Sequence, residues 1–211
     1  MASELDYDKD QEKRLGDDKL VQLNDGQRQI YDFVLSQLLR DSTKGQFFIH
    51  RPAGIGKTFL YKCICHYYRS QGKIVLCIAS SGIAALLLPG ECTAHSHFSI
   101  PLEINEQSVY HIGKNTQLAD LLRQTSLIIW DEVPIQHRYC FEAVNRTLNN
   151  ICNASENAVF GNIPILLGGD FAQIAPVVPH GNRAATIRSS LQSSFLWPHF
   201  QILHLTLNMW V

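Results

Sequence analysis

The sequence has no surplus of charge of either sign: 18 Lys and Arg stand against 19 Asp and Glu, a formal net charge of −1. No overall positive field draws such a chain to a polyanion, so any contact with nucleic acid has to be local. No apolar run approaches the roughly 20 residues that span a bilayer. The opening stretch Met1–Asp10 is too acidic for a signal or transit peptide, so a soluble, intracellular protein is expected. The six cysteines lack the paired spacing of a zinc site or a small disulfide framework and read as reduced, mostly buried thiols. Internal repeats and low-complexity tracts are missing too, which excludes solenoid and disordered classes. What is present is 45% hydrophobic content over 211 residues, enough to bury the core of one large domain.

Residues 1–19 are mostly charged and offer little to bury, which predicts a flexible, solvated arm; residues 20–211 form the domain. Asn24 and Gln27 ahead of Ile30, Phe33, Val34 and Leu38 predict a capped amphipathic helix ending near Arg40. Strand and helix then alternate. Strands are predicted at Gln46–His50, Ile74–Ala79, Leu127–Trp130, Ile163–Leu167 and Gln201–Leu205, and helices at Lys57–Ser70, Gln117–Arg123 and Tyr139–Ile151. Short apolar strands between helices predict an α/β fold, a mostly parallel sheet covered on both faces. The stretch Pro89–Lys114 has little period, and a loop of that length inside a compact domain is usually functional.

Strand Gln46–His50 runs into Arg51–Thr58 and then a helix, the context a phosphate-binding loop requires. Gly54 and Gly56 let the backbone turn its amides toward a phosphate, Lys57 reaches the outer phosphates, and the Thr58 hydroxyl can ligate Mg²⁺. Pro52, Ala53, Gly54, Ile55, Gly56, Lys57 and Thr58 are thus the candidate ATP-binding residues. Arg51 stands where the pattern opens with glycine. The alternative is a chance glycine-rich turn before a helix. Downstream, the apolar strand Leu127–Trp130 ends in adjacent acids, as expected where Mg²⁺ and a hydrolytic water must both be held. In that arrangement Asp131 would hold the magnesium and Glu132 would polarise the attacking water. Alone, the same pair could be solvent-facing acids at a strand end.

A third string, Leu167–Val178, contains Gly169-Asp170-Phe171-Ala172-Gln173 and resembles motif III of Pif-type DNA helicases, in the RecD-like branch of superfamily one. By that resemblance Gln173 senses the γ-phosphate. Leu23–Gln27 resembles the family's Q motif, which assigns adenine recognition to Gln27. Ala79–Ala85 and Thr93–Phe98 are similar to the region this family lays along single-stranded DNA. Ile129–Tyr139 and Leu203–Met209 look most like the helicase segment of Helitron-type transposons. The resemblance implies a three-layer RecA-like domain, ATP and Mg²⁺ as cofactors, and single-stranded DNA as partner. It also implies ATP-driven unwinding with 5′-to-3′ polarity, in DNA repair, recombination and telomere maintenance, with the nucleus or the mitochondrion as the compartment.

Read from chemistry alone, Ser80, Ser81 and Gly82 can bind phosphates, while His95, His97 and Phe98 can stack on bases; Thr93 joins the DNA-binding candidates through the resemblance. The alternative is that Ala84–Leu87 are helix core and the histidines ordinary loop residues. His95 and His97 beside Cys92 lack the fourth ligand of a zinc site. Family members carry an arginine where this chain has Trp210, and they continue into a second RecA-like domain. Slow hydrolysis by the chain alone is therefore expected, and a transposon-derived remnant that binds nucleotide without turnover is the rival reading. A P-loop kinase or unrelated ATPase would explain the first two motifs but not Gly169–Gln173.

Overall fold

The computed structural model describes residues 7–205 apart from 42–44, 51–55, 91, 99, 102, 111, 156, 174 and 180. Chain order is α1 (Lys9–Leu20), α2 (Asp25–Arg40), β1 (Gln46–His50), α3 (Lys57–Ser70), β2 (Ile74–Ala79), α4 (Gly82–Ala85), β3 (Cys92–Thr93) and α5 (Ala94–Phe98). It continues with α6 (Gln117–Gln124), β4 (Thr125–Asp131), α7 (Arg138–Ile151), β5 (Ile165–Gly169), α8 (Arg183–Ser189) and β6 (Gln201–His204), with 3-10 turns between. The strands lie in the order β3-β2-β4-β5-β1-β6, and every pairing is parallel. The expected α/β sheet is present, of the RecA-like P-loop type.

The near-continuous apolar strands reflect a sheet buried on both faces, since side chains alternate sides with a period of two. Phe48, Leu76, Ile78, Ile128, Trp130, Ile165 and Leu167 pack with α5, α6 and α7 on one face. Phe47, Ile49, Val75, Cys77, Leu127, Ile129 and Leu166 pack with α2 and α3 on the other. Cysteine serves here as a small hydrophobe: Cys63, Cys65, Cys77 and Cys140 are buried and unbridged. Burial pushes the Cys63 and Cys140 thiols up to about 11, which leaves them protonated and inert.

The helix at Asp25–Arg40 starts as its residues dictate, with a capping box: Asn24 accepts from the Gln27 amide at 2.9 Å, and Gln27 returns the bond to Asn24 N–H at 3.0 Å. Such caps contribute about 1 kcal/mol. Among its described residues, the stretch Pro89–Lys114 holds the short strand β3 and one turn of helix α5, the others being irregular.

The expected solvated arm is corrected. Lys9–Leu20 is a helix capped by Asp8, with Asp10 and Glu12 in its first turn and Lys19 in its last, as the helix dipole favours. It lies against α3, where Glu12 Oε2 meets His66 Nδ1 at 2.7 Å with both side chains nearly covered, and the Arg69 guanidinium sits 4.0 Å from the Tyr7 ring centre. No residue of α1 is fully buried. An apolar count therefore could not find it: its anchor is a polar contact with a residue 54 positions away.

Two glycines shape the end of β5. A Cβ at Gly168 would overlap the Tyr61 hydroxyl and come within 3.2 Å of Asp131 Oδ1, and one at Gly169 would overlap the Pro134 ring. Tyr61 is completely buried and cannot swing aside. Gly168→Ala is expected to destabilise the chain by about 1–3 kcal/mol, the usual cost of overpacking, read as a lowered urea midpoint; an unchanged midpoint would show that the Tyr61 ring can yield.

Candidate functional site

In open parallel sheets ligands bind outside the carboxyl ends of the strands, and the predicted chemistry collects there. Gly56, in the left-handed conformation at φ 76°, is the N-cap of α3 and supplies no side-chain cap. The first amides of α3 are thus left to an external acceptor, and the helix dipole favours an anion. Lys57 and Thr58 follow in that first turn, both half-buried. Arg51, Pro52, Ala53, Gly54 and Ile55, like Trp210, fall outside the described residues.

Asp131 closes β4, the neighbour of β5. It is 5% exposed, and burial pushes its carboxyl up to about 6, while the Lys57 ammonium and the Glu132 backbone N–H pull it down. The structure thus brings Asp131 within electrostatic reach of Lys57, although 74 residues separate them in sequence. The Glu132 amide donates to Asp131 Oδ1 at 2.9 Å. Glu132 itself is left-handed, φ 55° and ψ 39°, a conformation costing a non-glycine residue about 1–2 kcal/mol. The turn ends the strand at Asp131, so Glu132 does not continue onto the opposite face of the sheet.

Among the described residues, no group of three or more His, Cys, Asp or Glu could hold a metal. Mg²⁺ takes few protein ligands and shares its shell with phosphates. The Asp131 carboxylate and the Thr58 hydroxyl at the start of α3 are hard oxygen donors, the type such an ion takes.

Asp170 follows β5, is 7% exposed, and accepts from Ala172 N–H at 2.9 Å. Its Oδ1 lies 3.9 Å from His50 Nε2. Phe171 stacks on Phe48 with ring centres 5.0 Å apart, fixing the segment, and Gln173 is exposed beyond it. Sequence reasoning missed the histidines beside this site: His50 ends β1 in register with His204 of β6, ring centres 5.3 Å apart. Their signal was the matched ends of adjacent strands, visible only once pairing is known.

Two assignments need correction. Gln27 is completely buried, and its amide is committed at both ends: Oε1 to the α2 cap, and Nε2 to the Gly56 carbonyl at 3.2 Å. In this state it braces the end of the phosphate loop and shows no surface to an adenine ring. Phe98 is likewise completely buried, 5.8 Å between ring centres from Trp130, so it cannot stack on a base; its place at the inner face of a short helix makes it core.

The remaining DNA candidates gather on β2, β3 and the helices that follow. Ser80 N–H donates to the Asp131 carbonyl at 3.0 Å, and Ser80 Oγ accepts from Trp130 Nε1 at 3.0 Å. Ser81 caps α4 by accepting from Ala84 N–H, and Thr93 accepts from Ser96 N–H. The Ser80 and Ser81 hydroxyl oxygens are used as acceptors, which leaves their O–H groups to donate outward, whereas Thr93 Oγ1 also lies 3.0 Å from Ser96 Oγ. A Cβ on the exposed Gly82 would meet nothing within 4 Å, so the fold does not require glycine there. His95 is exposed. The helix-core reading of Ala84–Leu87 holds for Ala85, but Ile83, Leu86 and Leu87 are exposed at 82%, 66% and 55%. A cavity of about 510 Å³ lies at the opposite, amino edge of the strands beside Lys73, Arg123 and Thr125, remote from this chemistry.

Comparison with known proteins follows the same lines. The PIF1-like helicase family matches residues 22–211, so α1 lies outside the matched region. The chain is 30% identical over 161 residues to an ATP-dependent DNA helicase Pif1 of Psychrobacter sp., covering 75% of this chain and 24% of that protein. It is 31% identical over 170 residues to the ATP-dependent DNA helicase PIF1 of Emericella nidulans, 74% and 22%. Among solved structures, the Pif1 helicase from Candida albicans superposes with TM-score 0.73 at 26% identity, over 89% of this chain and 40% of that one. The Bacteroides Pif1 in complex with ADP-AlF3 and ssDNA superposes with TM-score 0.73 at 24% identity, over 89% and 42%. The chain thus spans about a quarter of the length of these curated relatives.

Proposed function

This chain belongs to the PIF1-like helicase family, and on that footing we propose that it is the ATP-binding domain of an ATP-dependent DNA helicase. The observation that carries the proposal is that Lys57, at the uncapped start of α3 and followed by Thr58, lies within electrostatic reach of Asp131, which closes β4 next to Glu132. Backbone amides from Gly56 onward and the Lys57 ammonium bind the phosphates. Thr58 and Asp131 hold Mg²⁺, which when bound neutralises phosphate charge. Glu132 orients the attacking water and accepts its proton, and Gln173 lies where the family senses the γ-phosphate.

Single-stranded DNA is the proposed partner of the face formed by Ser80, Ser81, Gly82, Thr93 and His95. Outward hydroxyls suit phosphates, and the imidazole with the exposed Ile83, Leu86 and Leu87 suits unpaired bases, a mode indifferent to sequence. The absence of surplus charge fits such a local contact. A second RecA-like domain as partner, 5′-to-3′ polarity, work in repair, recombination and telomere maintenance, and a nuclear or mitochondrial site belong to the same proposal and rest on resemblance alone.

The test is phosphate release from ATP by the purified chain, with and without oligo-dT, beside Glu132→Gln. Oligo-dT-stimulated turnover that disappears in the variant is the expected result. Mg·ATP binding with no turnover would favour the remnant reading, and no nucleotide binding at all would overturn the proposal.

A further inference from the structure

Three hydrogen bonds join the ATP-site strand to the proposed DNA face. Two are scaffold: Ser80 N–H to the Asp131 carbonyl, and Trp130 Nε1 to Ser80 Oγ. The third is of another kind. Gln136 Nε2 lies 3.3 Å from Nδ1 of the exposed His95, while Gln136 is 5% exposed and its Oε1 is buried with no partner among the described residues. A buried carbonyl oxygen left without a donor is costly, and turning the amide over does not remove the cost, because it exchanges one unmatched end for the other.

Gln136 is also tied to the candidate catalytic acid. Its N–H donates to the Val133 carbonyl at 3.1 Å, and Ile135 N–H reaches the Glu132 carbonyl at 3.4 Å. Glu132 and Gln136 are therefore the two ends of one 3-10 turn, Val133–Ile135. Val133 is completely buried and Pro134 stacks over Gly169, so the turn moves as a unit.

We propose that Gln136 is the positioning residue that couples the DNA face to the nucleotide site, its side-chain amide being the element with two arrangements. A phosphate oxygen at His95 Nε2 demands a proton on that nitrogen, which leaves Nδ1 as an acceptor and selects the orientation with Gln136 Nε2 as donor. Without the phosphate both tautomers are open to the ring, and the one with N–H on Nδ1 selects Gln136 Oε1. DNA thus chooses which end of the amide is left buried against the turn that carries Glu132. Linkage makes the effect reciprocal: whatever nucleotide does to that turn returns to His95.

The inference rests on the function proposed above, and its test separates the two. The dissociation constant for fluorescent oligo-dT is measured on the 211-residue chain with and without saturating Mg·AMP-PNP, for the wild type and for Gln136→Leu. The wild type should show at least about a fivefold change on adding nucleotide. In the variant the change should fall within about twofold of unity, with nucleotide affinity and melting temperature close to wild type. Gln136→Met, unbranched and of matching length, stands in if the leucine variant misfolds. A merely structural Gln136 would lower stability without altering this ratio. Coupling retained in the folded variant overturns the inference, as does a wild type that binds both ligands independently. A wild type that binds neither ligand overturns the function itself.

Discussion

Replacing Lys57 with alanine should cost this chain its affinity for Mg·ATP, by about 100-fold or more in a calorimetric titration at pH 8. Hydrogen bonds to charged groups contribute about 1.5–3 kcal/mol each, and an ammonium between phosphates makes more than one. Each 1.4 kcal/mol is tenfold in affinity. Lys57 is half-buried in the first turn of α3, so its truncation opens no cavity, and the melting temperature should fall only by the compensation that the Asp131 carboxylate loses. A second effect adds to the first. Lys57 pulls the Asp131 carboxyl down from where burial alone would place it, and its loss lets that carboxyl rise above about 6, so magnesium is held less well as the pH falls toward neutrality. Undiminished affinity in a folded Lys57→Ala chain would remove the phosphate site from this loop and the proposed function with it.

What could be read in the sequence follows from where each signal is local. β1, β2 and α3 are found at the predicted residues because the apolar runs are short and Gly56 and Gly72 punctuate them. β4 runs Thr125–Asp131 rather than Leu127–Trp130, since the polar Thr125 and Ser126 join it through pairing with β2, with a bulge between the Ile74 and Val75 pairs. β5 is shifted to Ile165–Gly169, where pairing with β1 carries two glycines that propensity alone would exclude. The places of Lys57 and Thr58 at a helix start, and of Asp131 and Glu132 at a strand end, were legible because the elements beside them are marked locally. Phe98 and Gln27 were misjudged for the opposite reason: an aromatic in a polar string and an amide in a capping box reveal their burial only when the partner, Trp130 or Gly56, arrives from far along the chain. Gln136 gave no local signal, as its neighbour His95 lies 41 residues away.

Asp131 carries a liability that can be measured without any ligand. Its folded carboxyl titrates at about 6 against an ordinary 3.8. A raised carboxylate pKa means that the unfolded chain gives up this proton first, so stability falls as pH rises through the interval and the full penalty stands above about pH 6. At 1.36 kcal/mol per unit the penalty is about 3 kcal/mol. Asp131→Asn keeps an oxygen for the Glu132 N–H but has no charge to desolvate. The variant should therefore melt about 5–10 °C above wild type at pH 8, on a scale of about 2–4 °C per kcal/mol for a domain of this size. The advantage should shrink to about half by pH 5, where the folded wild type holds its proton. Mg·ATP should reverse the order at pH 8, raising the wild-type melting point and leaving the variant where it was. A variant that melts at or below wild type at pH 8 without ligand would mean that the carboxylate is better solvated than its burial implies. The site as drawn keeps an unfavourable charge in waiting, and a cation is what makes that charge stabilising.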